Sequence, residues 1–194
     1  MFTPVRLMML IAASALIVAG CGGGEDGGGD SGGDASSGLT IDRAFAAEMI
    51  PHHESAIEMA IIAQERGESA FVRRLAEDIV NSQTAELETL QAADARLAED
   101  GVETGSLGLP DHMAGMDSDV ESLKTAEPFD AAFLKMMIPH HEGAVEMAKI
   151  EISKGEDPEL QALAEDIRAA QDQEITEMRD HLGDDAPPAG AEHG

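Results

Sequence analysis

Apolar residues recur at intervals of three and four along four long stretches of this 194-residue chain. That period is typical of amphipathic helices, and it predicts helices near 42–66, 70–98, 129–154 and 158–182. In two of these stretches the apolar positions form one stripe that is interrupted by a single glutamine. The two stripes are Val72, Leu75, Ala76, Ile79, Gln83, Leu87 and Leu90, and Leu160, Leu163, Ala164, Ile167, Gln171, Ile175 and Met178.

The second half of the chain repeats the first. An offset of 88 positions superimposes residues 42–90 on 130–178 without a gap, with 23 identities in 49 positions. The longest identical block runs from Met49 to Glu54 and recurs from Met137 to Glu142. A match of this length indicates an internal duplication.

Each repeat is predicted to form a helical hairpin. Gly155 ends one periodic segment, and Pro158 suits the first turn of the next helix. Two hairpins joined by a crossover at 99–128 predict an all-α fold, a four-helix bundle with pseudo-two-fold symmetry over 39–183.

The N-terminus has the pattern of an export signal. Arg6 precedes an apolar run over 7–18, and small residues then lead to Cys21, which is the only cysteine. This pattern favours acylation of Cys21 and a lipid anchor in a membrane over a simple secretory signal. The predicted segments are a lipoprotein signal peptide over 1–20, a flexible tether rich in Gly, Ser and Asp over 21–38, and a disordered tail over 184–194.

Charge excludes one class of partner. The 12 Lys and Arg residues against 39 Asp and Glu give a formal net charge of −27. A nucleic-acid backbone requires clustered cations, so we expect no nucleic-acid partner. The acidic surface alone indicates a solvated face and no specific ligand.

A helical wheel of the first helix places two imidazoles and two thioethers on or beside the side that faces the core. The expected apolar stripe is Ile50, His53, Ile57 and Ile61, and the adjacent stripe is Met49, His52, Ala56 and Met59. The second repeat has the same arrangement. Pro51 and Pro139 should kink their helices just before the histidine pairs, unless each helix begins at its proline.

The recurrence of paired His and Met favours metal ligation over simple packing. Imidazole with thioether suits Cu(I), and zinc is the weaker alternative. The spacing lacks the His-to-His interval of zincins and the Glu-to-His interval of ferritin-type di-iron centres. The predicted ligands are Met49, His52, His53, Met59, Met137, His140, His141 and Met147, and the further candidates are His112, Met113, Met116, Met178 and His181. They could form one shared site or two related sites.

Gln83 and Gln171 occupy equivalent positions on apolar stripes. A buried amide needs a hydrogen-bond partner. We therefore expect each to bond the second ring nitrogen of a ligating histidine.

The block Met-Ile-Pro-His-His-Glu, followed by Ala-Val-Glu-Met-Ala, resembles a bacterial family of secreted, ferritin-like helical domains long catalogued as of unknown function. Some members are periplasmic copper-binding proteins linked to copper resistance. The resemblance covers roughly residues 41–182. It implies a ferritin-like four-helix bundle and copper handling by the eight Met and His residues of the two motifs.

The sequence therefore predicts an exported, lipid-anchored protein, periplasmic or on the outer cell surface, that binds copper for buffering, delivery or resistance. Its partners would be the metal ion, the membrane and other copper-handling proteins. We expect no enzymatic activity. The alternatives are a metal-dependent redox enzyme on the same bundle, or a metal-free interaction or stress protein whose His and Met residues only pack.

Overall fold

Four long helices and one short helix make up the computed structural model, which describes residues 34–183. They are α1 (Asp34–Arg66), α2 (Ala70–Glu99), α3 (Val120–Leu123), α4 (Phe129–Lys154) and α5 (Pro158–Leu182). No strand occurs among the described residues, so the predicted all-α class is confirmed. The predicted signal peptide with Cys21, most of the predicted tether, and the tail lie outside the described residues.

The first helix begins earlier than the sequence predicted. It starts at Asp34, so it includes residues 34–38 of the predicted tether. Gly38 is buried, and a Cβ atom there would lie 2.3 Å from Cγ of Glu156 in the turn between α4 and α5. Tertiary packing therefore extends the helix into a stretch whose composition favours a flexible chain.

The two repeats form two helical hairpins. Helix α1 packs along α2, α4 packs along α5, and the hairpins meet chiefly where α1 contacts α4. The crossover from 100 to 128 contains α3 and connects them. No helix in the described part of the chain has an apolar stretch long enough to cross a membrane.

Each repeat supplies an aspartate that binds the hairpin turn of the other repeat. Asp42 on α1 accepts hydrogen bonds from the backbone N–H groups of Glu156 and Asp157 at 2.9 to 3.1 Å. Asp130 on α4 accepts from Glu68 and Ser69, each at 2.8 Å. These N–H groups lie at helix starts and have no partner within their own helix. The duplicated aspartates therefore tie the two hairpins together.

The apolar core consists of two clusters. The Phe133 cluster includes Met59, Leu75, Phe129, Phe133, Met137 and Met178. The Phe45 cluster includes Phe45, Met49, Leu90, Ala144, Met147 and Leu160. The histidine pairs lie on α1 and α4 between the residues that contribute to these two clusters.

In α1 the helical wheel gave the wrong stripe as the centre of the core, whereas in α4 the predicted stripe of Ile138, His141 and Val145 is buried. Met49, His52, Ala56 and Met59 are fully buried, whereas Ile50 and Ile57 are half-buried and Ile61 is 46% exposed. His53, from the predicted stripe, is also fully buried. Among the buried residues of the adjacent stripe, His52 contacts His140 on α4.

Pro51 and Pro139 lie inside continuous helices. The alternative in which each helix begins at its proline is therefore wrong. A proline inside a helix removes the hydrogen bond to the carbonyl four residues earlier, which is Ala47 for Pro51 and Lys135 for Pro139.

Candidate metal centre

The equivalent histidines of the two repeats meet where α1 packs against α4. The ring centroids of His52 and His140 are 3.8 Å apart, with an interplanar angle of 37°. His52 Nε2 lies 3.0 Å from the backbone oxygen of His140. Because a carbonyl oxygen only accepts hydrogen bonds, Nε2 of His52 carries the ring proton. One imidazole from each repeat is thus held in contact at the centre of the bundle.

The neighbouring histidines are bound by glutamates from the second helix of their own repeat. His53 Nε2 is 2.7 Å from Glu86 Oε2, and His141 Nε2 is 2.8 Å from Glu174 Oε2. Both histidine side chains are fully buried, and both glutamate side chains are 18% exposed. Glu86 and Glu174 therefore connect the buried imidazoles to the rim of the bundle.

Five ring nitrogens of these four histidines have no hydrogen-bond partner among the described residues. They are Nδ1 of His52, Nδ1 of His53, both nitrogens of His140, and Nδ1 of His141. Leaving a buried polar group unpaired costs about 1–3 kcal/mol, so native proteins rarely accumulate such groups without a ligand or a function. Clustered imidazole lone pairs suit a cation that accepts nitrogen ligands.

The four motif methionines are 0–1% exposed, and two of them lie in each apolar cluster. Met59 and Met137 belong to the Phe133 cluster, and Met49 and Met147 belong to the Phe45 cluster. Each cluster therefore contains one motif methionine from each repeat. Within residues 34–183 no group of three or more His, Cys, Asp or Glu side chains is placed to hold a metal ion.

Burial keeps the central imidazoles neutral. It lowers the pKa of His52 from 6.5 to about 3, and the nearby imidazoles of His53 and His141 lower it further. Burial likewise lowers the pKa of His140 well below 6.5, with His52 as the next cause. Both rings can therefore offer a lone pair at neutral pH without first losing a proton.

The crossover packs directly on the histidine pair. A Cβ atom at Gly143 would lie 2.3 Å from the carbonyl carbon of Ala114, and one at Gly115 would lie 2.8 Å from Cα of His140. Gly115 also has a φ of 72°, which favours glycine. Both glycines are thus required for the crossover backbone to approach α4 beside His140.

The further candidate ligands are divided between surface and core. His112 is exposed, and Met113 and Met116 are 43% and 39% exposed, so the crossover cluster lies outside the core. Met178 is fully buried in the Phe133 cluster with Met59 and Met137. His181 is exposed, and its ring stacks on Phe71 at 4.4 Å.

Glu86 and Glu174, rather than the predicted Gln83 and Gln171, form hydrogen bonds with the histidines. The amide nitrogen and oxygen of Gln171 and the amide oxygen of Gln83 are buried without a hydrogen-bond partner among the described residues. Glu86 and Glu174, one helical turn further along, bond the histidines instead. The sequence held a signal for them, because this pair is also identical between the repeats and lies three residues beyond the glutamines.

The chain is similar to one protein family and to several solved structures. Residues 42–182 match the family described as Domain of unknown function (DUF305). The structure of CopM in the Cu(I)-bound form is 31% identical with a TM-score of 0.62, and the similarity covers 73% of this chain and 94% of CopM. CopM also has structures in the Cu(II)-bound and Ag-bound forms.

Two further relatives extend this set. A DUF305 protein of Streptomyces coelicolor that is described as secreted is 29% identical with a TM-score of 0.65, covering 82% of this chain and 99% of that protein. The uncharacterized protein L153 of Acanthamoeba polyphaga mimivirus is 42% identical over 53 residues. That match spans 27% of this chain and only 35% of the viral protein.

Proposed function

The chain belongs to the DUF305 family, and we propose that it binds a soft metal ion in the core of its bundle, with copper(I) as the favoured ion. The observation that carries this proposal is the group of four buried imidazoles with five unpartnered ring nitrogens. Simple packing would leave these polar atoms unsatisfied in the core, whereas a bound cation would satisfy several of them.

The nature of the donors favours copper(I) over harder ions. The residues that would hold the ion are the four motif histidines and the four motif methionines, which are Met49, His52, His53, Met59, Met137, His140, His141 and Met147. Thioethers and neutral imidazoles suit Cu(I), while Mg²⁺ and Ca²⁺ prefer oxygen ligands. The similarity to CopM, which has Cu(I)-, Cu(II)- and Ag-bound forms, supports the same choice.

The biological role that we propose is copper buffering, delivery or resistance outside the cytoplasm. Acylation at Cys21 would anchor the bundle to a membrane through the residues that precede α1. Likeness to a DUF305 protein that is described as secreted supports an extracytoplasmic location. Cys21→Ser should release the protein from the membrane fraction, and unchanged membrane association would contradict the lipid anchor.

An anaerobic titration with Cu(I), in competition with a chromophoric chelator, tests the metal site. Replacing His52→Gln and His140→Gln together should lower the affinity at least tenfold, since two ligands are lost. The matched control is Met113→Leu with Met116→Leu, which removes exposed thioethers and should leave the core affinity unchanged. Far-UV circular dichroism of each variant checks that the bundle is intact. Unchanged Cu(I) affinity in the histidine variant would show that the motif only packs.

A second pair of variants separates one shared site from two. Met49→Leu with Met147→Leu removes the motif thioethers of the Phe45 cluster and preserves side-chain volume, so the fold should tolerate it. With two sites, this variant should bind about half as much Cu(I) as the wild type.

We place the protein among binding proteins, so the copper-loaded form should show no oxidase turnover, and sustained turnover would favour the redox-enzyme alternative.

A further inference from the structure

His53 and His141 are bound in the same way, and the bond fixes which ring nitrogen carries the proton. Each offers Nε2 to a carboxylate oxygen, of Glu86 at 2.7 Å and of Glu174 at 2.8 Å. A carboxylate oxygen can only accept a hydrogen bond. Nε2 must therefore carry the proton in both histidines, and Nδ1 then has the lone pair.

The surroundings of Nδ1 agree with that assignment. Nδ1 of His53 and Nδ1 of His141 are buried, and neither has a hydrogen-bond partner among the described residues. A second proton on Nδ1 would place an N–H group in the core without an acceptor, next to the other imidazoles. A bare Nδ1 lone pair, with no partner of its own, is free to bind a cation.

We propose that Glu86 and Glu174 are positioning residues, which hold His53 and His141 in the Nε2–H tautomer and so present Nδ1 as the metal-binding atom. This inference rests on the proposed function and adds the ligating atom and the residues that select it. A carboxylate behind a ligating histidine fixes the ring orientation and raises the basicity of the other nitrogen. Loss of such a partner typically lowers metal affinity roughly 10–100-fold.

The arrangement obeys the symmetry of the duplication. Glu86 and Glu174 are 88 positions apart, as are His53 and His141, and both hydrogen bonds span 33 positions along the chain. The central pair differs, since His52 uses a backbone oxygen of the other repeat and His140 leaves both nitrogens without a partner. The carboxylate–histidine pairs are therefore the part of the site in which the two repeats are equivalent.

Nitrogen-15 NMR of the histidine rings tests the tautomer in the metal-free protein. The wild type should show His53 and His141 protonated at Nε2, with bare Nδ1. In the double variant Glu86→Gln with Glu174→Gln, the amide can donate to Nε2 as well as accept from it. A second population protonated at Nδ1 should then appear. Protonation at Nδ1 in the wild type would overturn the proposal.

Titration with Ag(I) tests the consequence for binding. In the wild type the Nδ1 resonances of His53 and His141 should shift on silver binding, and the double variant should bind Ag(I) roughly 10–100-fold more weakly. The matched control is Glu77→Gln with Glu165→Gln, an equivalent pair of exposed glutamates on α2 and α5. It removes the same two charges and should bind Ag(I) like the wild type.

The outcomes separate this inference from the function on which it rests. A wild-type protein that does not bind Ag(I) or Cu(I) at these rings would overturn the proposed function. Equal Ag(I) affinity in the double variant and the wild type would overturn only the positioning role. Equal losses in the double variant and the control would assign the effect to overall charge and would likewise overturn the positioning role.

Discussion

The buried carboxyl of Glu151 on α4 should make the bundle less stable as the pH rises. Its side chain is fully buried, and its carboxyl group faces that of Asp42 on α1. A Cβ atom at Gly155 would lie 2.3 Å from Glu151 Oε1 and 2.5 Å from Asp42 Oδ1, so the two carboxyl groups are close. Burial, followed by the hydrogen bond with Asp42 and the negative charge of Asp42, raises the pKa of Glu151 from 4.5 to about 9.

The direction of this pH dependence follows from the number of protons bound by the folded and the unfolded protein. Between pH 4.5 and about 9 the folded protein keeps a proton on Glu151 that the unfolded chain has lost. The free energy of unfolding therefore falls as the pH rises through this window. The full difference in pKa corresponds to roughly 6 kcal/mol at its alkaline end. Structural relaxation and entry of water around the ionised carboxylate reduce this, and we expect on the order of 2 kcal/mol between pH 5 and pH 8.5.

Glu151→Gln removes the ionisation and nearly preserves the volume. Urea unfolding followed by circular dichroism, at a series of pH values, should show a smaller loss of stability with rising pH in this variant. At pH 8.5 the variant should be more stable than the wild type by on the order of 2 kcal/mol. Glu165→Gln, at an exposed position on α5, controls for the general repulsion within a chain of net charge −27. The same pH dependence in Glu151→Gln and in the wild type would refute the reasoning.

Three further predictions follow from other contacts. Folding lowers the pKa of His52 from 6.5 to about 3. The free energy of unfolding of the metal-free protein should therefore fall by on the order of 2 kcal/mol as the pH is lowered from 6.5 to 4.5. Urea unfolding should show a weaker acid dependence in His52→Gln, and equal dependence would contradict this. Gly143→Ala should push Ala114 away from α4, destabilise the bundle by about 1–3 kcal/mol and speed hydrogen exchange in the crossover, whereas unchanged exchange would contradict the close approach. Asp130→Ala removes both acceptor oxygens for the N–H groups of Glu68 and Ser69 and should lower the free energy of unfolding by about 1–2 kcal/mol. An unchanged melting temperature would contradict the role of Asp130 in tying the hairpins together.

The duplication made most of the fold predictable. The predicted bounds of α2, α4 and α5 lie within a residue or two of the observed ones, because Gly67 and Gly155 mark the same turn in both repeats and Pro158 marks the start of α5. The start of α1 was missed because the packing of Gly38 against Glu156 involves residues more than a hundred positions apart. A local pattern has no information about such a contact.

The orientation of α1 was the harder problem. A helix that is apolar around most of its circumference is buried on most sides, so periodicity cannot select one stripe as the centre. Ile57 and Ile61 are the larger hydrophobes, yet the structure buries Ala56 and Met59 completely and leaves Ile61 46% exposed. The buried stripe carries His52, which contacts His140 on α4, and hydrophobicity alone does not predict that contact.

The proposed metal donors of the two repeats are mixed in the folded protein. One motif supplies Met49 and Met59, yet these thioethers lie in different apolar clusters, and each cluster also contains a motif methionine of the other repeat. His52 likewise meets His140 rather than its own neighbour, with ring centroids 3.8 Å apart against 6.1 Å to His53. A single hairpin would therefore hold only half of the donors of any one group. The proposed site therefore requires both repeats, because the packing of α1 against α4 brings His52 to His140.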